Sequence, residues 1–157
     1  MPPPVILDPA QLDLSRILLD RKAIDGLLPH RFEFALVDAI VSIDEVTRVF
    51  AGYHDILPDA FWTRGHIPGR PLFPGVLMIE VGAQLASLMH SHFFGAGRFL
   101  GFTGVDGVKF RGTVEPTCRF VVVGKGIEVK PRRTICEVQG FVGSNMVFEA
   151  RITGMPI

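Results

Sequence analysis

Residues 65–84 read GHIPGRPLFPGVLMIEVGAQ and set an imidazole, His66, fourteen residues ahead of a carboxylate, Glu80. Pro68, Pro71 and Pro74 each lock φ, so the chain approaches Gly75 along a stiff path. Gly75 opens an apolar run of helical length, and Glu80 falls about one and a half turns into it. The first amides of a helix have no intrahelical acceptor. An imidazole, a carboxyl group and free main-chain N–H groups, held by rigid backbone, are the parts of a proton-transfer site. Imidazoles titrate near pH 6.5, so a neutral His66 suits the part of a base. Desolvation on an apolar helix favours the protonated form of Glu80, which could then donate its proton. Glycine at 75 lets a substrate oxygen come close to the backbone. Gln84 lies one turn beyond Glu80 on the same face and could orient its carboxyl group.

The elements that must position these groups follow from patterning. Residues 75–94 are apolar on nearly every face, which predicts a helix enclosed by the rest of the domain and about 30 Å long. After Arg98 the pattern turns strand-like in four runs, 98–110, 118–129, 134–142 and 146–154, separated by turn residues at Glu115-Pro116, Pro131-Arg132 and Gly143-Ser144-Asn145. Residues 34–53 predict a hairpin turning at Asp44-Glu45, and 54–74 a Pro/Gly-rich loop. Leucines and isoleucines at mixed three- and four-residue steps predict a helix over 8–28, stopped by Pro29. Residues 1–7, with three consecutive prolines, read as an extended arm. An antiparallel sheet curled around the central helix satisfies this order, an α+β domain.

The whole-chain numbers narrow the function classes. The 157 residues, 48% hydrophobic and 20% charged, suffice for one domain with a real core. A formal net charge of zero argues against bulk attraction to nucleic acid. No apolar run reaches the roughly 18 residues of a membrane span, and the N-terminus lacks the pattern of a secretory signal. Cys118 and Cys136 have no metal-ligand spacing and read as reduced thiols in strands, which fits a cytoplasmic setting.

The run from Gly65 to Gln84 resembles the 3-hydroxyacyl-[acyl-carrier-protein] dehydratases of type II fatty acid synthesis, whose signature is approximately G-H-F-P-G-x-P-x-x-P-G-V-L-x-x-E-x-x-A-Q. It stands here as Gly65-His66-Ile67-Pro68-Gly69-Arg70-Pro71, then Pro74-Gly75-Val76-Leu77, Glu80, Ala83 and Gln84. LPHRFEFALVD (28–38) resembles the family's L-P-H-R-Y-P-F-L-L-V-D, and GVDGVKFRGTVEP resembles the stretch after its helix. The resemblance implies a hotdog fold over 24–157, with 1–23 an extension of no assigned role. Glutamate at 80 is closer to the FabZ-type branch than to the dehydratase-isomerases. Ile67 in place of Phe, Glu33 in place of Pro and Trp62-Thr63-Arg64 in place of Phe-Phe-Gln bear on acyl-chain preference.

What the resemblance implies for the site is specific. His66 would remove the α-proton, Glu80 would protonate the departing β-hydroxyl, and the Gly75 N–H would receive the charge building on the thioester oxygen. Alternatively His66 serves both transfers while Glu80 binds the hydroxyl. Gln84, Phe73, Ile67 and Met78 would contact the acyl substrate, as would one or two of the phenylalanines 99, 102, 110, 120, 141 and 148, otherwise strand core. Acyl carrier protein is the implied partner, with Lys125, Lys130, Arg132 and Arg133 as its docking patch, or Arg64 and Arg70. The active tunnel would lie between two subunits of a homodimer, often assembled as a trimer of dimers, with histidine and glutamate from different chains. No metal and no cofactor are implied, because the thioester itself acidifies the α-proton. His30 reads as a structural histidine near the site, His54 as a surface residue, and His90 and His92 as facing different directions. The competing readings are a hotdog thioesterase and a non-catalytic acyl-binding subunit.

Overall fold

The computed structural model describes residues 3–157. Its centre is α1, Gly75–Phe94, with the predicted boundaries. Pro74 precedes it and Gly95, at φ 85°, ends it with an N–H donated to the Ser91 carbonyl. Around it curls one antiparallel sheet of six strands: β1 (Ala39–Asp44), β2 (Val49–Ile56), β3 (Leu100–Phe110), β4 (Cys118–Lys130), β5 (Arg133–Val142) and β6 (Asn145–Pro156). The spatial order is β1-β2-β4-β5-β6-β3. The hairpin turn at Asp44 and the three downstream turns stand where the punctuating residues predict them, although β2 runs three residues into the segment read as loop.

One core forms between helix and sheet, with Leu85, Leu88, Met89, Phe50, Phe120 and Phe148 fully buried. The helix sits close because Gly82 and Gly124 leave room. A Cβ at either would come within 2.9 Å of Val138 or Leu85.

The predicted helix over 8–28 does not form. A 3-10 turn at Pro9–Gln11 and a five-residue helix, Arg21–Asp25, are its only helical parts. Between them Asp13 takes both the N–H and the hydroxyl of Ser15, an alternative to helical hydrogen bonding. Tertiary demand explains the rest. The outer face of the sheet carries its own apolar cluster, including Val41, Tyr53, Val121 and Phe141, and Ile6, Leu7, Leu12 and Leu14 cover it. Leu19 bridges to Ile40 on the edge of β1. The described part of the proline arm is tied down by Gln139, which accepts from Ile6 N–H and donates to the Pro4 carbonyl, each at 2.9 Å; Met1 and Pro2, predicted in the same arm, lie outside the described residues.

The phenylalanine prediction divides. Phe120, Phe141 and Phe148 are core, but Phe99, Phe102 and Phe110 are exposed. β3 is an edge strand, and among the described residues no further strand pairs with its outer side. His54, predicted on the surface beyond β2, is instead in β2, half-buried, its Nδ1 3.0 Å from Asp38. Among the described residues no helix is long and apolar enough to cross a membrane.

His90, on the buried face of α1, makes a 2.7 Å hydrogen bond through Nδ1 to Thr134 Oγ1, whereas His92 contacts Glu45. Burial lowers the His90 pKa from its ordinary value. The unfolded chain therefore binds more protons in the window below about pH 6.5, so stability is fully present above that pH and is lost as pH falls through it. Urea unfolding at pH 7.5 and 5.5 should show that loss, and His90→Asn should reduce its slope; an unchanged slope refutes His90 as a source.

Candidate active site

Glu80 and His66 are built on different supports. Glu80 projects from the second turn of α1, which the core holds rigid. Its carboxylate oxygen Oε1 accepts a 2.9 Å hydrogen bond from Gln84 Nε2, the one-turn neighbour. Gln84 is itself 1% exposed and fully used. Its second amide hydrogen goes to the Phe34 carbonyl at 2.8 Å, and its oxygen accepts the Leu36 N–H at 3.1 Å. Helix and the 34–36 segment are thereby locked together around the acid.

A second group reaches the same oxygen. His30 Nε2 lies 3.6 Å from Glu80 Oε1, and Phe99 packs edge-on against the His30 ring at 5.6 Å. Burial pushes the His30 pKa down, the Glu80 charge opposes that, and Arg21 and Arg31 add to the lowering. The sequence reading placed His30 near the site but missed this contact. The partners are fifty residues apart, and only the LPHRF motif marked the segment.

Glu80, His30 and Gln84 line a pocket with Ala83, Ser87 and the facing ends of β3 and β6, from Leu100 to Phe102 and Ile152 to Gly154. Its water-accessible volume is about 60 Å³. That holds a few waters but no acyl chain, since ligand pockets run to roughly 300 Å³ and more.

His66 does not line that pocket. It stands in the loop after β2, a coil with its own hydrogen bonds: His66 N–H to the Trp62 carbonyl and Leu72 N–H to the His66 carbonyl, both 2.8 Å. Trp62 and Phe73 are buried and anchor the loop, Phe73 against Phe120 and His54. The His66 side chain is exposed, and its Nδ1 is 2.7 Å from the Leu72 carbonyl oxygen. A carbonyl only accepts, so Nδ1 carries the proton and Nε2 keeps a lone pair.

Gly75 begins α1 with no side chain capping that turn. A Cβ there would lie 2.8 Å from the Phe110 ring, so any larger residue would have to push that exposed ring aside. Of the predicted acyl contacts, Ile67 is exposed, while Phe73 and Met78 belong to the core. In the basic patch, Glu128 at the β4–β5 turn pairs with Arg133 through two hydrogen bonds and with Lys130 at 3.3 Å. Arg133 and Lys130 together hold the Glu128 carboxyl down at about 2. Arg132 has no such partner among the described residues and stands beside them. Lys125 lies farther up β4, and Arg70 pairs with Glu115 at 3.2 Å. Among the described residues no group of His, Cys, Asp and Glu is placed to hold a metal.

A sheet curled around one enclosed helix defines the class as a hotdog-fold protein. In three dimensions it is similar to the dehydratase heterocomplex ApeI:P from Xenorhabdus doucetiae, with a TM-score of 0.73 over 85% of this chain and 90% of that one. At 12% identity that likeness is one of fold. Residues 28–151 match the FabA-like domain, and the chain belongs to that family. It is 34% identical over 143 residues to the 3-hydroxyacyl-[acyl-carrier-protein] dehydratase FabZ of Campylobacter jejuni, covering 88% of this chain and 97% of that protein. The FabZ of Paracidovorax citrulli is 39% identical over 103 residues, 63% of this chain and 70% of that one.

Gln84→Leu should strand the Leu36 N–H and Phe34 carbonyl as well as the carboxylate. The expected cost is about 1–3 kcal/mol in urea unfolding, and a variant as stable as the parent would refute this locking role.

Proposed function

We propose that the protein is a 3-hydroxyacyl-[acyl-carrier-protein] dehydratase, converting (3R)-3-hydroxyacyl thioesters to trans-2-enoyl thioesters and water, as the names of its relatives suggest. The observation that carries the reading is the His66 tautomer. With Nδ1–H spent on the Leu72 carbonyl, Nε2 is a free base on an exposed loop. Nε2 takes the α-proton, and the electron pair moves toward the thioester oxygen, where the Gly75 N–H at the helix start receives the developing charge. The β-carbon–oxygen bond then breaks, and Glu80 protonates the leaving hydroxyl as water. The proton on His66 returns to Glu80 through solvent. His66→Ala should lower turnover about 10²–10⁴-fold, read as loss of the enoyl thioester's ultraviolet absorbance, with oligomeric state unchanged. Unaltered turnover refutes the assignment.

The working unit in this reading is a homodimer whose partner supplies the histidine for each Glu80. The small pocket, the absence of His66 from it and the exposed Phe102, Val105 and Phe110 of β3 support it. Mixing inactive His66→Ala with inactive Glu80→Gln chains should then restore roughly a quarter of the sites, because half of the symmetric pairs become mixed and each mixed pair rebuilds one site. No recovery after subunit exchange speaks for a site within one chain.

Acyl carrier protein is the proposed cargo bearer, met by the β4–β5 turn. Arg132 is the cation to test, because Lys130 and Arg133 are partly neutralised by Glu128. Arg132→Glu should raise KM for carrier-protein substrates several-fold, an effect that fades with salt, and leave short thioester substrates unaffected. Equal losses on both substrates would exclude docking there.

A further inference from the structure

We propose that His30 is a positioning residue for Glu80, donating from Nε2 to the carboxylate oxygen that Gln84 already holds, so that Oε2 is the oxygen turned to the reacting hydroxyl. The proposal rests on the dehydratase reading for its kinetic consequence and on geometry for its substance. His30 Nδ1 is buried with no hydrogen-bond partner. A proton there would be a stranded buried donor, which folded proteins rarely tolerate, whereas an unpaired acceptor is more easily carried. The proton of the neutral ring therefore belongs on Nε2, the atom 3.6 Å from Glu80 Oε1. That separation exceeds a hydrogen bond, but contacts of this kind in an unfilled site commonly tighten when the reacting complex forms.

The surroundings keep the ring neutral. Besides Glu80, the charged groups facing it are Arg21 and Arg31, both cationic and both pointed at Asp25. Phe99 closes one side of the ring. A neutral donor is what an acid catalyst requires beside it. An imidazolium would stabilise the carboxylate and weaken Glu80 as a proton donor, while a neutral N–H fixes orientation at smaller electrostatic cost. With Oε1 engaged from two sides, the transferable proton resides on Oε2.

The test separates the claim from the function it serves. His30→Gln places an amide nitrogen where Nε2 stands, His30→Asn places one nearer Nδ1, and His30→Phe keeps the packing against Phe99 without a donor. The expected result is a kcat about tenfold or more lower in the Phe and Asn variants, with KM within about twofold and partial recovery in the Gln variant. The limb of the kcat–pH profile that belongs to the acid should move in the Phe variant and stay in the Gln variant. Independently, imidazole ¹⁵N spectra of the whole protein should show His30 protonated at Nε2, with its titration shifted to lower pH in Glu80→Gln. A kcat unchanged in His30→Phe, or an Nδ1–H tautomer, overturns the proposal. A protein that fails to dehydrate hydroxyacyl thioesters overturns the functional reading instead, and the spectra still decide whether His30 addresses Glu80.

Discussion

A helix that is apolar on nearly every side has to be enclosed, and whatever polar group it carries must then be satisfied inside the enclosure. α1 meets the first demand by the curl of the sheet and the second through Gln84. That single amide, 1% exposed, uses both hydrogens and its oxygen on Glu80, Phe34 and Leu36. Because no water competes for it, each of these bonds is costly to lose. The acid is thus held in place by the same contacts that dock the segment before β1 onto the helix. Changing the site and changing the fold are, at this point, the same perturbation.

His66 obeys a different rule. It lies on the surface, and its precision comes from a short loop wound on itself and pinned by two buried aromatics, Trp62 and Phe73. The prolines predicted this stiffness, and the hydrogen bonds between residues 62 and 72 explain how it is spent: they fix one ring nitrogen on a carbonyl. His66 is not among the residues that line the Glu80 pocket, and the edge strand β3 leaves Phe102 and Phe110 exposed.

What could be read from the sequence follows from where the determining forces act. α1 was legible to the residue because local signals mark both ends, Pro74-Gly75 and Gly95, and because its apolarity is uninterrupted. β4, β5 and β6 were legible because turn residues separate alternating runs. Residues 8–28 were not, because their leucines answer to the outer face of the sheet, a surface made in part by strands more than a hundred residues away, and because Asp13 and Ser15 satisfy each other locally. Alternation also cannot tell a phenylalanine facing the core from one on an uncovered edge, so Phe102 and Phe110 looked like Phe120 and Phe148. Gln84 was found as a one-turn neighbour; His30 was placed near the site by its motif, but its contact with Glu80 was not legible, since no local spacing joins the two.

In the proposed mechanism the two reacting groups share one design. Each offers two heteroatoms, one given to the scaffold and one left for chemistry. In His66 the scaffold takes Nδ1 through the Leu72 carbonyl; in Glu80 it takes Oε1 through Gln84, with His30 alongside. A group held by neither atom would rotate among orientations and lose the alignment that proton transfer requires. A group held by both would have no lone pair or proton to exchange. Half-engagement resolves that conflict, and it makes the character of each partner decisive. A main-chain carbonyl forces the imidazole to be a base at its far nitrogen. A neutral amide donor such as Gln84, unlike a lysine or arginine at the same place, orients a carboxyl group without pulling its proton away.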